Sequence, residues 1–395
     1  MRIGFYGDDF TGSVDAMLQL SRSGLDVVLA TSVEAAAALG AGHDVVGIAG
    51  IARSLPAEAM AAEVVPALSW LLAHGAQVVQ YKACSTADSS PEVGSLGRVV
   101  ELGRGLLGPA AVPALFAQPD FGRYTFFGHH FAREGERVHR LDRQPTMSRH
   151  PVTPATDSDL VRHLAAQTTL PVGSLDWTRY REGDPEALAA LIGSATEAAV
   201  VLDGFSEQHL DLVGQAIWLL PGPVLAIGAG GLSLGLGRAL GGAPWEPPST
   251  MPAAEGPLLV LCGSRSAATW GQVRAAAAAG WAAIDLGRAD AVAEAVAAHG
   301  AGRDTVVYSS SPGGAELTSQ AVVAGLVQIG RSCLAAAPRS RLVVAGGDTS
   351  GAVLRGLGAA SLRLLGAAWA NVVLCAMQAP GEPYDGIELV LKGGQ

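Results

Sequence analysis

Short apolar runs of four to eight residues recur along the chain, with longer alanine- and leucine-rich stretches between them. This alternation is the βαβ pattern of a mostly parallel sheet flanked by helices, and it predicts a protein of the α/β class. In the first part of the chain the predicted strands are residues 2–6, 26–29, 45–48, 77–81, 112–117, 200–202 and 224–227. In the last part they are residues 257–261, 282–286, 304–308, 341–345 and 387–391.

A proline-rich segment separates these two groups of strands. Residues 241–252 read GGAPWEPPSTMP and contain four prolines. Because proline fixes φ and lacks a backbone donor, this segment cannot continue a helix or a central strand and is predicted to be a linker. We therefore expect two domains, residues 1–242 and 253–395, each with a mostly parallel sheet. Residues 121–156 are rich in Arg, His and Pro and are predicted to form loops or short antiparallel strands outside the first sheet.

Composition narrows the classes of partner and location. The chain has 395 residues, of which 49% are hydrophobic, and it carries a net charge of −10 with only 26 basic residues. It would repel a phosphate backbone or an anionic membrane surface, so we expect neither nucleic acid nor a membrane as a partner. The N-terminus lacks the long apolar core of a signal peptide and the four cysteines form no CxxC pair, as expected of a cytoplasmic protein. The uncharged stretch 212–237 contains two prolines and is predicted to be a helix, a turn and a buried strand.

Three familiar motifs are absent or incomplete. Neither of the two lysines, Lys82 and Lys392, follows a glycine, so the GxxxxGK[ST] phosphate loop is absent. Residues 228–233 approach the dinucleotide fingerprint but end in Ser where Gly or Ala is required. Ser233 lies in a GxSxG sequence typical of hydrolases, but the only later histidine is His299, near the end of a predicted helix. A hydrolase is therefore the weaker alternative.

Four histidines that are close in the sequence raise the question of a metal site. The spacings between them match no zinc template, and adjacent histidines on a strand point to opposite faces. Polar loop contacts, or one contact to a substrate, explain them better, and no metal ligand is assigned. The group consists of His129, His130, His139 and His150.

Polar residues follow two predicted strands of the first domain. Gly7-Asp8-Asp9-Phe10-Thr11-Gly12-Ser13 comes directly after the first strand, where the carboxyl ends of an open α/β sheet form a ligand crevice. A helix N-cap alone would explain one of the two acids but not both. Tyr81 to Ser90 places one cation, four hydroxyls and one acid after the fourth strand, which suits a polyhydroxylated anion. A solvated turn is the alternative for this second segment.

Two glycine-containing loops follow predicted strands of the second domain. They are Cys262-Gly263-Ser264-Arg265-Ser266 and Ala345-Gly346-Gly347-Asp348-Thr349-Ser350-Gly351. Glycine lets backbone N–H groups approach an anion, and a following helix offers its positive end to phosphate. Together the two loops predict a nucleotide cradle, with tight turns as the alternative.

The chain resembles the four-carbon acid sugar kinase family, whose members phosphorylate tetronates and related acid sugars with ATP. The matching pieces are GDDFTGSVDA, YKACSTADSSPEVGSLGR, MSRHPVTPATDSDLVRHLAAQT, GSRS and GGDTSGAVLRGLG, in this order from residue 7 to residue 358. The resemblance implies a sugar-acid domain followed by an ATP domain, with the active site in the cleft between them. The FGRYTFFGHHFA and VHRLDRQPTMSRHP segments resemble a subgroup that acts on 3-oxo-isoapionate. A 3-oxo-tetronate, threonate or erythronate stays open.

Carried over residue by residue, the resemblance places Asp8 and Asp9 near the sugar acid. Phosphoryl transfer needs a proton acceptor and neutralisation of phosphate charge. Asp9 is therefore the expected catalytic base, with Asp8 as its rival, and Mg²⁺ is expected to bridge the ATP phosphates, with Asp348 contacting it through water. The tail LKGGQ departs from the family's LKSGNFG, and Pro380-Gly381-Glu382-Pro383 departs from PGVP. The expected sugar-acid contacts are Lys82, Ser85, Thr86, Asp88 and His150. The expected ATP contacts are Ser264, Ser266, Gly346, Gly347, Asp348, Thr349 and Gly393.

Two questions stay open at the level of the sequence. A sugar-acid sensor that had lost turnover would retain most of these motifs, and the altered tail is its only support. A homodimer is compatible with the sequence but is not indicated by it.

Overall fold

The computed structural model describes residues 1–40, 42–181, 183–246, 248, 250–264, 266–309, 317–369 and 372–392. The chain divides into two compact units. One consists of Met1–Leu29 and Ala37–Glu246, and the other of Ala30–Ala36 and Pro247–Gln395.

The first unit is built on a sheet whose strand order is β2-β3-β1-β4-β11-β5-β10-β9. β1 pairs in parallel with β3 and β4, β11 with β4 and β5, and β10 with β5 and β9. Every residue of the central strands is buried, because helices cover both faces of such a sheet. The strands are β1 (Ile3–Gly7), β2 (Val27–Ala30), β3 (Val45–Ala49), β4 (Val78–Lys82), β5 (Val112–Leu115), β6 (Arg123–Phe126), β7 (His129–Glu134), β8 (Arg137–Arg140), β9 (Val172–Leu175), β10 (Ala199–Leu202) and β11 (Val224–Gly228).

Helices follow the strands in the order that the sequence predicts. The uncharged stretch 212–237 is the end of α7, a turn, β11 and most of α8, and no helix among the described residues is long and apolar enough to span a membrane. The helices up to this point are α1 (Phe10–Arg22), α2 (Val33–Ala37), α3 (Met60–Ala73), α4 (Leu96–Leu107), α5 (Leu160–Ala165), α6 (Pro185–Gly193), α7 (Glu207–Leu219) and α8 (Gly230–Ala239).

The predicted excursion is a three-stranded antiparallel sheet of β6, β7 and β8. It is anchored to the first unit where Thr125 N donates to the carbonyl of Gly204 at 2.8 Å. Thr125 and His130 are fully buried, and Ala132, Leu141 and Met147 form a small core beneath the sheet. The Arg- and His-rich segment therefore folds as a supported platform.

The second unit has the strand order β13-β14-β12-β15-β18-β17-β16. The neighbouring strands in the part β13-β14-β12-β15-β18 are parallel. β17 runs antiparallel to both β18 and β16. The α/β class is confirmed, with an antiparallel hairpin added to a mostly parallel sheet. The strands are β12 (Leu258–Cys262), β13 (Ala282–Asp285), β14 (Thr305–Tyr308), β15 (Arg341–Ala345), β16 (Ser361–Trp369), β17 (Val372–Gln378) and β18 (Ile387–Lys392), and the helices are α9 (Ala267–Ala278), α10 (Ala291–Gly300), α11 (Ser319–Ala336) and α12 (Gly347–Gly356).

Three strands of the main sheets were not predicted. β9 reads VGSL and is partly exposed, so it lacks the continuous apolar run used to find the others. The β16–β17 hairpin is rich in apolar residues, but Arg363 and Gly366 interrupt its first strand. β9 is the last strand of its sheet, where mixed composition of this kind is ordinary.

A short segment from the first part of the chain belongs to the second unit, which the predicted domain boundaries did not include. Thr31 N donates to the carbonyl of Ala360 at 3.0 Å, and its hydroxyl donates to the carbonyl of Ala359 at 2.6 Å. Thr31 is buried, so these groups have little access to water. Hydrogen bonds to a segment more than 300 residues away leave no pattern in the local sequence.

We expect Thr31→Val to lower the free energy of unfolding by about 1–2 kcal/mol, because it leaves the buried carbonyl of Ala359 without its hydroxyl donor. Thr31→Ser keeps the hydroxyl and should retain most of the stability. Urea unfolding of the full chain measures the difference. Equal stability of the Val variant and the parent would show that the hydroxyl contributes nothing.

Candidate functional site

Three neighbouring strands of the first unit end level with one another. Gly7 of β1 and Gly228 of β11 both pair with Lys82 of β4. Their following loops therefore start at the same edge of the sheet, where α/β proteins bind ligands. The two polar segments that the sequence singled out after β1 and β4 meet here: Asp8 N donates to the carbonyl of Lys82 at 3.0 Å.

The adjacent acids after β1 share one arginine. Arg53 Nη2 and Nε donate to the two carboxylate oxygens of Asp8 at 2.6 and 3.3 Å, and Arg53 Nη1 donates to Asp9 Oδ2 at 2.7 Å. Asp9 also caps α1, because its Oδ1 accepts from Gly12 N at 2.7 Å. The N-cap explanation is thus confirmed for Asp9, and Asp8 has a different role as the buried partner of a cation.

Burial controls the proton affinity of Asp8. Its side chain is only 1% exposed, and this desolvation raises the pKa of Asp8 to about 6, although Arg53 acts in the opposite direction. The neighbouring charge of Asp9 also raises the pKa. Arg53 consequently stabilises a carboxylate that burial would otherwise tend to neutralise.

Lys82 brings a second cation to the same place. Its Nζ lies 3.2 Å from Asp15 Oδ2 and donates to the carbonyl of Ala83 at 3.1 Å, and the side chain is almost completely buried. A β carbon added at Gly12 would lie 2.5 Å from Asp9 Oδ1 and 3.3 Å from both Lys82 Nζ and Arg53 Nη2. The first turn of α1 is therefore flanked by two cations, and glycine allows the Asp9 carboxylate to approach the helix closely.

The loop that follows β4, residues 83–90 (the β4 loop), carries the hydroxyls and the acid that were predicted to bind substrate. The carbonyl of Ser85 accepts from His130 Nε2 at 2.8 Å, and Thr86 Oγ1 lies 3.1 Å from Cys84 Sγ. The first of these contacts joins the loop to β7, and the second lies within the loop.

Two of the predicted substrate contacts meet through a third residue. Asp88 Oδ1 accepts from Thr153 Oγ1, which also lies 2.7 Å from His150 Nδ1. Asp88 and His150 themselves are 4.0 Å apart. The structure thus brings these predicted residues together, with Thr153 between them.

In the second unit, the two predicted loops follow adjacent parallel strands, with Cys262 of β12 level with Ala345 of β15. Ser266 caps α9 by accepting from Thr269 N at 3.2 Å, and Thr269 Oγ1 donates to Ser264 Oγ at 3.1 Å. The serines therefore form part of one hydroxyl network at the start of α9.

The start of α12 is shaped by glycine. Gly346 has φ of +127°, which residues with a β carbon rarely adopt, and a β carbon there would lie 3.5 Å from Ser264 N. No side chain in the described part of the chain caps α12, whose first turn contains Gly347, Asp348 and Thr349. An uncapped helix N-terminus beside a glycine is a suitable site for phosphate. Gly393 lies outside the described residues.

The position of Ser233 argues against the GxSxG hydrolase alternative. Ser233 is fully buried in α8 and donates to Gln80 Oε1 at 2.8 Å, while His299 lies in the second unit and contacts Ser340 Oγ at 2.7 Å. A β carbon at Gly231 would overlap the carbonyl of Ala117, so this glycine serves close packing. Among the described residues, no three His, Cys, Asp or Glu side chains are grouped to hold a metal.

Sequence reasoning missed three residues of the site: Arg53, Asp15 and Thr153. Arg53 lies 45 positions from Asp8 and follows β3, whose end is another strand end at the same edge of the sheet. That position could have identified Arg53. Asp15 lies one turn of helix beyond Gly12, on the same face of α1, and helical periodicity could have identified it.

We expect Arg53→Leu to lower the free energy of unfolding by about 3 kcal/mol at pH 7, because Asp8 then loses the cation beside its buried charge. Burial already raises the pKa of Asp8 above its unfolded value of about 4. The stability that depends on Asp8 therefore falls as the pH rises from that value through the folded pKa. Without Arg53 the folded pKa should rise further, so the loss should be smaller at pH 5 than at pH 7.

Urea unfolding at the two pH values measures this difference. The matched control, Arg53→Leu with Asp8→Asn, has no titrating group at residue 8 and should depend less on pH than the single variant. An equal loss at both pH values in the single variant would contradict the proposed cause.

Comparisons with known proteins identify a family for each of the two parts of the chain. Residues 3–236 match the family described as a sugar-binding N-terminal domain, and residues 259–395 match the nucleotide-binding C-terminal domain. The chain is 34% identical over 431 residues to a 3-oxo-isoapionate kinase of Paraburkholderia graminis, covering 100% of this chain and 91% of that protein. It is also 34% identical to a 3-oxo-tetronate kinase of Cupriavidus necator, covering 99% and 93%.

Solved structures extend the comparison to the fold. The structure of a protein from Salmonella typhimurium LT2 is 27% identical in sequence, with a TM-score of 0.81. The match covers 100% of this chain and 96% of that protein. A Bordetella bronchiseptica protein that is 25% identical, with a TM-score of 0.52, covers 100% and 94% and was crystallised with citrate as a domain-swapped dimer. The two family matches together span nearly the full chain, and so do the matches to the two kinases. The chain therefore belongs to the four-carbon acid sugar kinase family and is a sugar acid kinase.

Proposed function

We propose that the chain transfers the γ-phosphoryl group of ATP to a hydroxyl of a 3-oxo sugar acid, either the branched 3-oxo-isoapionate or a linear 3-oxo-tetronate. Threonate and erythronate are further candidates. The names of the two kinases that match over nearly the whole chain support the 3-oxo acids. The observation that carries the proposal is the pair of cations, Arg53 and Lys82, at the start of α1 and next to the hydroxyl-rich β4 loop.

Lys82 is the proposed partner of the substrate carboxylate. An ammonium has three donors. In Lys82 one of them faces Asp15 and another the carbonyl of Ala83, which leaves one N–H for a ligand. A charge-assisted bond to a carboxylate is favourable where a buried cation has few waters to lose. Ser85, Thr86, Asp88 and His150 are the proposed partners of the hydroxyl groups of the acid.

Asp9 is the proposed general base. It would take the proton of the attacking hydroxyl while the new O–P bond forms and ADP leaves. Asp9 accepts one bond on each carboxylate oxygen, so a second lone pair on each is available. Asp8 is the weaker candidate, because both of its oxygens face Arg53 and its side chain is almost inaccessible.

We propose that ATP binds to the second unit through Ser264, Ser266, Gly346, Gly347 and Thr349. The positive φ of Gly346 and the uncapped start of α12 support a phosphate at this position. Mg²⁺ commonly binds through nucleotide phosphates, waters and few protein ligands, so it would neutralise phosphate charge here. Asp348 is the proposed contact to it through water, and Gly393 the proposed nucleotide contact in the tail.

A location and an assembly are proposed as well. Cys84, Cys333 and Cys375 are free thiols, which supports a reducing compartment such as the cytoplasm. The domain-swapped dimer of the Bordetella bronchiseptica protein makes a homodimer the first assembly to test.

We expect Mg²⁺-dependent ATP consumption only when a four-carbon or branched five-carbon sugar acid is present. An ATP-coupled screen of 3-oxo acids, threonate, erythronate and simple aldoses measures it. Turnover with aldoses but not with acids would contradict the proposed substrate class. Tight binding of an acid without any ATP consumption would instead favour a sensor.

We expect Lys82→Met to lower kcat/KM for the sugar acid by roughly 10- to 150-fold, with little change in KM for ATP, because one charge-assisted hydrogen bond is lost. Methionine keeps the apolar stem, so a comparison with Lys82→Ala separates charge from packing. The double variant Lys82→Met with Asp15→Asn controls for the unpaired Asp15. Near-parental kcat/KM in all three variants would assign Lys82 a structural role and shift the search for the carboxylate partner to Arg149 or His150.

A further inference from the structure

The β4 loop has a backbone conformation that its own sequence disfavours. Ala87 has φ of +50°, in the left-handed region that residues with a β carbon rarely adopt. Such conformations persist where the surrounding structure enforces them, and they are concentrated at functional sites. Within the loop, Ala87 N donates to the carbonyl of Cys84 at 3.0 Å, and Ser89 Oγ donates to the carbonyl of Ala87 at 2.9 Å. Contacts from outside the loop add to these two local bonds.

One such contact comes from His130 on β7. Its Nε2 lies 2.8 Å from the carbonyl of Ser85, and its Nδ1 lies 3.0 Å from Thr125 Oγ1. Because a carbonyl can only accept, Nε2 must carry the proton and Nδ1 must accept from the Thr125 hydroxyl. Burial lowers the pKa of His130 to about 4, which keeps the ring neutral and this tautomer in place.

A second contact comes from His163 on α5. Its Nε2 lies 3.0 Å from the carbonyl of Ala87 and 2.8 Å from Ser89 Oγ. Gln167, one turn later, donates to Ser89 Oγ at 2.9 Å and accepts from Leu96 N at 2.8 Å. His163 therefore contacts the loop at the residue with the unfavourable φ, and Gln167 connects this contact to the start of α4.

We propose that His130 and His163 are positioning residues that hold the β4 loop in the conformation in which its hydroxyls and Asp88 face the sugar acid. The two histidines approach the loop from different elements, one at Ser85 and the other at Ala87. Apart from the contact to Ser89 Oγ, they contact carbonyl groups of the loop, so they leave the side chains of Ser85, Thr86 and Asp88 available for a ligand. The role in the reaction rests on the proposed function of the loop, whereas the effect on its conformation does not.

Substitution of each histidine by Asn or by Gln tests the proposal. Asn at residue 130 or 163 is polar enough for the buried position but too short to reach the carbonyl of the loop, whereas Gln places an N–H close to the position of Nε2. His129→Gln is the control, because His129 neighbours His130 on β7 but contacts Ser158 Oγ instead of the loop. Hydrogen exchange of the amides of residues 85–90 reports on the loop, and KM for the sugar acid and for ATP reports on the reaction.

We expect His130→Asn and His163→Asn to accelerate exchange in the loop and to raise KM for the acid by roughly 10-fold, the effect of one buried hydrogen bond. KM for ATP should change less than twofold, and the Gln variants should recover most of the loss. His129→Gln should change neither quantity. Parental exchange rates in both Asn variants would overturn the proposal, and so would equal losses in the Asn and Gln variants. Faster exchange with an unchanged KM for the acid would support the bracing of the loop but contradict its proposed role in acid binding.

Discussion

A carboxylate buried at the end of β1 requires a cation, and this requirement organises the first unit around its site. Asp8 is almost inaccessible, yet it lies beside a second acid and would be neutralised by burial without Arg53. Its main chain also bonds to Lys82 and to Arg53, so the same residue connects β1, β4 and the turn after β3. An ion pair of this kind contributes little net stability, but losing either partner is costly. The ion pair fixes the position of Arg53, and the main-chain bond from Asp8 places Lys82 at the same strand end.

The anion sites that we propose in the two units differ in their chemistry. The first unit uses side-chain charge, with Arg53 and Lys82 beside the start of α1. The second uses backbone geometry, with Gly346 in a left-handed conformation before an uncapped helix. This difference suits the two proposed ligands, because a carboxylate on a small acid needs a specific cation, whereas phosphates of a nucleotide can be bound by several N–H groups. It also explains why a chain with only two lysines can carry this function.

The fold and the clustering of polar residues at the candidate site were largely predictable, and the pairing within that cluster was not. Parallel strands place their ends at one edge, so polar residues after β1, β4, β12 and β15 could be identified from local sequence. The partners of these residues could not, because Arg53 and Thr153 reach them from 45 and 65 positions away. For the same reason the contribution of Thr31 to the second unit left no local signal. Asp9 shows a further limit, since its N-cap contact was predicted but its bond to Arg53 was not.

The central proposal is that Lys82 binds the carboxylate of the sugar acid. A crystal structure of the chain with a bound 3-oxo acid tests it most directly. The account predicts a carboxylate oxygen at about 2.7–2.9 Å from Lys82 Nζ, the distance of a charge-assisted hydrogen bond, with the hydroxyls of the acid turned toward the β4 loop. A carboxylate bound elsewhere, with Lys82 still paired only to Asp15 and Ala83, would contradict it.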